Sequence, residues 1–314
     1  MQPPPFDTSW RRNNLGYHLF AANDRFLREK MARMAAAGHG EVTEALLTLF
    51  VSIDSEGSRI TDIAANAGLT KQSVVDSVNR AERAGWVARF SDPQDKRQRI
   101  VHFTQEGRTI LTRLRAAVTG AEQDLEASVG AAFLAEFKQR FGAYSALPVE
   151  DLGVVDVVGG SKGGRGDAAW RSGNGGRVLA LASRRFAREA LALVHREGFD
   201  DVGEVLIALL RNLDLEGTRL TDLAIRARMT KQSMRELVDR AEALDLVARV
   251  PDPLDQRAKT IGFTQRGLAV LAAFGRAIAI TEAEAEAMMG GPFIAQSKAL
   301  LRHYALEREQ ELLI

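Results

Sequence analysis

LTKQSVVDSVNRAERAGWVARFSDPQDKRQRIVHFT, residues 69–104, holds the pattern that decides the fold. Thr70 precedes a segment in which Val74, Val78 and Ala81 recur at helical spacing, so its hydroxyl is placed to cap a helix start. That helix runs to about Ala84, where Gly85 supplies a left-handed stop. The period then changes. Trp86-Val87-Ala88-Arg89-Phe90 reads as a strand, Ser91-Asp92-Pro93-Gln94-Asp95 as a turn, and Ile100-Val101-His102-Phe103 as the returning strand. Thr104 opens a long helix to about Ala127, followed by a last one over Ala132 to Ala146.

Upstream, Leu15, Leu19, Ala22, Phe26 and Met34 give a first helix that ends at Gly38 and Gly40. Val42 to Ile53 forms a second helix. Ile60 to Asn66 forms a short third one, with Gly68 at its end. A short helix, a turn, a capped helix and a two-stranded hairpin make a winged helix-turn-helix. In that arrangement the capped helix can enter a major groove and the hairpin projects beside it as a wing.

The pattern occurs twice. Thr70-Lys71-Gln72-Ser73 returns as Thr230-Lys231-Gln232-Ser233, and residues 54–107 match 214–267 at 27 of 54 positions without a gap. Weaker matches keep the register, among them Arg25-Phe26 with Arg185-Phe186, Phe133 with Phe293 and Tyr144 with Tyr304. A period of 160 residues is a duplicated domain, since solenoid repeats run about 20–50 residues. The expected organisation is a tail over 1–14, one winged-helix domain over 15–147, a Gly-rich linker over 148–176 and a second domain over 177–314. Eight glycines fall in 159–176, too little apolar surface to offset ordering.

Composition bounds the rest. The 314 residues are 46% hydrophobic and 26% charged, enough for two ordinary cores. No apolar run reaches the roughly 18 residues of a membrane span, and the N-terminus has no secretory pattern, so the expected location is the cytoplasm. The absence of cysteine removes disulfides, thiolate metal sites and thiol chemistry. The five histidines show no metal-ligand spacing, and neither a phosphate loop nor a nucleophile elbow is present. No enzyme, metal or cofactor is expected. Net charge is only +1, so any binding to nucleic acid depends on local clustering of basic residues.

That clustering sits on the capped helix and the wing. Lys71, Gln72 and Ser73 occupy the first helical turn, where a lysine can meet phosphate and a glutamine amide can pair with adenine. Asn79 lies further along the outward side, and Arg97 and Arg99 lie on the wing, where an arginine can enter a minor groove. The second copy presents Lys231, Gln232, Ser233, Arg235, Arg257 and Lys259.

Arg59-Ile60-Thr61-Asp62-Ile63-Ala64, Leu69-Thr70-Lys71-Gln72-Ser73, Asp92-Pro93-x-Asp95-x-Arg97 and Phe103-Thr104-Gln105-x-Gly107 together resemble the MarR (multiple antibiotic resistance regulator) family. The second copy repeats all four segments. The resemblance implies a mostly α fold with small β-hairpin wings, whose modules pack through their outer helices as a dimer on a pseudo-palindromic operator. Family members usually pair two identical chains. Here the two halves are covalently joined, which predicts an intrachain pseudo-dimer; association of two chains into four reading heads is the alternative. The resemblance also implies a small aromatic or phenolic effector, for which Tyr17, His18 and Phe50 are candidate lining residues, and it assigns the wing arginine role to Arg97 and Arg257.

The halves differ in charge. Segment 70–99 holds seven Lys/Arg and four Asp/Glu, a net of +3, whereas 230–259 holds six of each. Phosphate neutralisation dominates affinity, so the first copy is expected to anchor and the operator to be imperfectly symmetric. Two competing functions remain at this stage: a nonspecific architectural DNA binder without effector, and a winged-helix module for protein partners.

Overall fold

The computed structural model describes residues 9–92, 98–146, 170, 173–251 and 259–311. Its contacts divide the chain into two units. The first-copy unit comprises 18–185 with 295–314, and the second-copy unit comprises 1–17 with 186–294.

The first half runs α1 (Leu15–Ala36), α2 (Glu44–Ser52), β1 (Ser58–Arg59), α3 (Ile60–Ala67), α4 (Lys71–Arg83), β2 (Val87–Ser91), β3 (Arg99–Phe103), α5 (Gln105–Val129) and α6 (Ala131–Ala146). The second half runs α7 (Gly175–Arg196), α8 (Glu204–Asn212), β4 (Thr218–Arg219), α9 (Leu220–Arg226), α10 (Lys231–Ala243), β5 (Val247–Pro251), β6 (Lys259–Phe263), α11 (Gln265–Met289) and α12 (Gly291–Glu311). Each helix and strand of the first half recurs in the same order in the second. The fold is mostly helical with small antiparallel sheets, as the sequence implies. Two features were not legible as local pattern. Ser9–Arg12 is a 3₁₀ turn rather than plain tail, and the two-residue strands β1 and β4 turn each hairpin into a three-stranded sheet.

Within the first-copy unit the helix-turn-helix is built on burial. Leu46, Leu47, Leu49 and Phe50 of α2, Ile63 of α3, and Val74, Val78 and Ala81 of α4 are all buried. Phe50 packs its ring 5.2 Å from Phe103 and 6.0 Å from Trp86, joining helices to sheet. The β2–β3 register pairs Val87 with Phe103 and Ser91 with Arg99, and β1 adds Arg59 opposite Ile100. Asp92 is buried at the wing base and accepts two hydrogen bonds from the Arg59 guanidinium, at 2.8 and 2.5 Å.

The Phe-Thr-Gln-x-Gly segment has a structural cause in both units. Thr104 Oγ1 accepts from the Gly107 N–H at 3.1 Å and donates to the Gly85 carbonyl at 2.7 Å, pinning α5 to the turn after α4. A side chain on residue 107 is excluded, because a Cβ would lie 1.9 Å from the Trp86 oxygen. Gly267 faces the Leu246 oxygen at the same distance. In the second-copy unit the core gathers Leu206, Leu209, Leu210, Leu223, Met234, Val238, Val247 and Ile261.

Both units borrow from the other half of the sequence. In the second-copy unit the Leu15 N–H donates to Glu282 at 2.8 Å, and a Cβ on Gly16 would lie 2.4 Å from the Phe186 ring. In the first-copy unit the Gly175 N–H donates to Glu122 at 3.3 Å, and a Cβ on Gly176 would lie 2.1 Å from the Phe26 ring. Each pair maps on the other by the repeat offset. The first-copy unit also holds Arg25 over the Tyr304 ring at 4.1 Å and Arg185 over the Tyr144 ring at 4.6 Å. Residue 25 meets 304 while 185 meets 144, so the two contacts exchange partners under the repeat offset.

The same offset relates Trp10 to Trp170 and Asn14 to Asn174. Both asparagines cap: Asn14 Oδ1 accepts from the Tyr17 N–H at 2.8 Å, and Asn174 Oδ1 from the Arg177 N–H at 2.9 Å. The segments read as tail and linker end therefore carry a repeated W-R-x-x-N arm. Its match is short and lies among glycines, which hid it from a reading of composition.

Candidate nucleic-acid interface

The recognition helix of the first copy begins as its sequence implies. Thr70 accepts from the Ser73 N–H at 3.2 Å, which leaves Lys71, Gln72 and Ser73 exposed on the first turn of α4. Gln72 Nε2 donates to Asp76 at 3.1 Å, which holds its carboxamide along the helix face. The Ser73 hydroxyl bonds Thr70 at 2.9 Å. The second copy reproduces the arrangement. Thr230 accepts from the Ser233 N–H at 3.0 Å, and Gln232 donates to Glu236 at 2.9 Å. Lys231 and Gln232 are exposed, and Ser233 is half-buried. A helix N-terminus with free N–H groups and a lysine beside it favours phosphate oxygens.

Asn79 is placed differently from a freely reading side chain. It is half-buried, and its Oδ1 accepts from Arg89 at 2.7 Å, so its amide N–H group is what it can offer outward. Arg89 also donates to Glu82 at 2.7 Å, tying α4 to β2. At the equivalent position stands Asp239, which takes Arg249 at 2.6 Å. Arg99 and Lys259 are exposed first residues of β3 and β6, at the root of each wing. Arg235 is exposed on α10. Arg97 and Arg257 lie outside the described residues. Helix α10 carries Glu236 and Asp239 at the positions where α4 carries Asp76 and Asn79, so the lower positive charge of the second head extends along its helix.

None of the three residues expected to line an effector pocket borders the cleft found in the first-copy unit. Phe50 is fully buried in the aromatic contact with Trp86 and Phe103, because its place on α2 faces the sheet. His18 is buried and its neighbour on α1, Tyr17, is half-buried. The first-copy unit instead contains a cleft of about 110 Å³, lined by residues of α1, α2, α5 and α7 and by Ala67 at the end of α3. Phe26, Val51, Val118 and Leu181 supply apolar wall; Lys30, Arg177, Arg184 and Glu44 supply charge. Burial holds the Lys30 ammonium below the ordinary lysine range, and Glu44 opposes the shift. Sequence reading missed these cations because two of them come from the other half of the chain.

Helix-turn-helix, capped reading helix and three-stranded wing sheet define a winged-helix protein of the class that reads duplex DNA. A MarR family model (MarR_2) matches residues 43–98, which run from the start of α2 to the wing. The chain is 28% identical over 113 residues to a candidate transcriptional regulatory protein for the hcr operon of Thauera aromatica, a match covering 36% of this chain and 68% of that one. Among solved structures it is similar to CouR of Rhodococcus jostii RHA1 bound to p-coumaroyl-CoA, with 24% identity over 36% of this chain and 79% of that one and a TM-score of 0.33. It is also similar to the repressor CouR bound to a 23-mer DNA duplex, with 25% identity over 40% of this chain and 87% of that one and a TM-score of 0.33. These relatives are DNA-binding regulators and not enzymes. No helix among the described residues is long and apolar enough to cross a membrane.

Proposed function

We propose that the chain is a sequence-specific transcriptional repressor that carries both reading heads of a MarR-type dimer on one polypeptide and acts in the cytoplasm. One observation carries the reading most directly. Both copies cap the reading helix with a threonine and leave a Lys-Gln pair exposed on its first turn. Lys71, Gln72, Ser73, Asn79, Arg97 and Arg99 form the first head, and Lys231, Gln232, Ser233, Arg235, Arg257 and Lys259 the second. The exchange of Arg25–Tyr304 for Arg185–Tyr144 supports an intrachain pseudo-dimer, since an interface between like halves repeats each contact with its partners swapped.

The two heads differ in charge, so the operator is pseudo-palindromic with one stronger half-site. The effector is a small aromatic or phenolic anion, and the cleft beside α3 is its place rather than the Tyr17, His18 and Phe50 set.

Genomic footprinting of the purified chain, with competition by random duplex at matched salt, tests the reading. A regulator is expected to prefer its operator by at least about a thousandfold. Equal affinity for random DNA would make the chain an architectural binder, and no DNA binding would make it a protein-interaction module.

A further inference from the structure

In each copy one arginine joins the reading helix to the first wing strand. Arg89 on β2 donates to Glu82 at 2.7 Å and to Asn79 Oδ1 at 2.7 Å. Arg249 on β5 donates to Glu242 and, at 2.6 Å, to Asp239 Oδ1. Under the repeat offset the arginine and the glutamate are unchanged. Only the other partner differs, an amide in the first copy and a carboxylate in the second.

The difference falls on the side of the helix that faces away from the core. Val74, Ser77, Val78 and Ala81 form the buried side of α4. With about 3.6 residues per turn, Gln72, Val75, Asp76 and Asn79 lie opposite them. A guanidinium carries donors and no acceptor, so whatever atom it holds is an acceptor. Asn79 therefore turns its oxygen to Arg89 and presents its NH2 group. An ionised Asp239 has acceptors alone, and with one oxygen on Arg249 it presents the other. The same clamp thus fixes a donor on the first reading helix and an acceptor on the second, at one register position. One turn earlier residue 75 is a half-buried valine, whereas residue 235 is an exposed arginine. Gln72 and Gln232, by contrast, are alike and are held alike, each by an acid one turn on.

We propose that Arg89 and Arg249 are positioning residues that set which base edge each head accepts, so that the two half-sites differ in sequence at defined places and not in strength alone. The inference rests on the sequence-specific reading proposed above. An asparagine free to turn pairs with adenine, its oxygen on the N6 amine and its own amide on N7. Asn79 has its oxygen turned to Arg89, so the N6 amine of adenine meets a donor. Guanine, whose N7 and O6 both accept, takes adenine's place. Asp239 accepts from the N4 amine of cytosine. At the neighbouring position Val75 meets the methyl group of thymine, and Arg235 takes guanine through O6 and N7. Opposite Gln72 and Gln232 the half-sites agree.

The test selects the sites that the full chain prefers from a pool of random duplexes and sequences them. The enriched site is expected to hold two half-sites that match at the base pair read by the glutamines. They are expected to differ at two others, guanine against cytosine and thymine against guanine. Arg89→Leu frees the Asn79 amide to turn over. An arginine that merely held the wing would, when lost, weaken all sites alike. A positioning arginine is expected to admit adenine at that one place of the first half-site, with a preference for guanine of about tenfold lost there and the second half-site unchanged. Asn79→Asp, which keeps the clamp, is expected to exchange guanine for cytosine at the same place and guards against misfolding of the first variant. A perfectly palindromic site, a uniform loss from Arg89→Leu, or an unchanged base preference in Asn79→Asp would overturn the proposal and leave a sequence-specific regulator standing. Binding of duplex with no sequence enriched would remove the regulator reading and the proposal with it, so the two failures are separable.

Discussion

The two copies share half of their aligned central residues and nearly every element, yet they differ in the charge of their reading helices and in how deeply the acid beside each interior arginine lies. Arg25 in the first-copy unit donates to Glu29 at 2.7 Å and to the Tyr304 carbonyl, and Glu29 also accepts from the Tyr304 hydroxyl at 2.8 Å. All three side chains are buried. Burial, reinforced by the Glu29 carboxylate, holds the Tyr304 phenol well above the ordinary tyrosine range, so it remains a donor. The equivalent Arg185 lies over Tyr144, and its neighbour Glu189 is half-buried where Glu29 is buried. Both ring contacts have thus been kept, while the acid beside one arginine lies deeper than the acid beside the other.

The sharpest way to break that comparison is to remove the cation from each cluster. Arg25→Ala leaves Glu29 buried without its charge partner, for which a loss of about 3–5 kcal/mol is expected. Arg185→Ala leaves Glu189, which is half-buried and keeps contact with water, and is expected to cost less. Both residues lie in the first-copy unit, so urea unfolding followed by a probe in that unit measures both. Equal losses would show that the deeper burial of Glu29 has no energetic consequence.

DNA affinity gives the next largest contrast. Arg97→Ala is expected to weaken operator binding by about tenfold or more, and Arg257→Ala by less, because the first head carries the positive balance that neutralises phosphate. Asn79→Asp gives α4 the acid that α10 already has in Asp239, and is expected to weaken binding several-fold, approximately one factor in the salt dependence. Gel-shift titrations at two salt concentrations check all three. A larger loss from Arg257→Ala than from Arg97→Ala would reverse the ranking of the heads.

What the sequence disclosed and what it withheld divide along the range of the interactions. The Thr70 cap, the αL stop at Gly68, the hairpin from Trp86 to Phe103 and the inward set Val74, Val78 and Ala81 depend on neighbours within a few residues, and they stand where the pattern put them. The Lys71–Gln72 turn was legible for the same reason. Three things were not. Strand β1 is two residues long, below any periodicity. Phe50 has the aromatic character of a pocket residue and the spacing of a core residue, and only its contacts with Trp86 and Phe103 decide between them. The cations of the cleft reach α3 across more than a hundred positions of sequence. An offset comparison extended into the glycine-rich region would have found Trp10 and Trp170, because it looks for repetition where composition looks only for order.

The smallest contrast lies in the backbone and sharpens the comparison from the side of stability. In the first copy the residues after α3 and α4 that turn left-handed are glycines, Gly68 at φ 63° and Gly85 at φ 77°. At the same two places the second copy has Arg228 at φ 53° and Asp245 at φ 54°. The turns are kept: the Met229 N–H still donates to the Ala224 carbonyl and the Leu246 N–H to the Ala241 carbonyl, as Leu69 and Trp86 do to Ala64 and Ala81. A side chain in that region brings Cβ against the following carbonyl, at roughly 1–2 kcal/mol, less for an aspartate whose carboxylate can bond locally. Glycine recovers that strain and gives back part of it as unfolded-state entropy. Arg228→Gly is therefore expected to stabilise the second-copy unit by about 0.5–1 kcal/mol and Asp245→Gly by somewhat less, while Gly68→Arg in the first copy costs about the same amount or more. Thermal unfolding of the three variants measures the signs. If Arg228→Gly destabilised, the left-handed turn in the second copy would owe its position to contacts of the Arg228 side chain rather than merely tolerate it, and the two copies would hold their reading helices by different means.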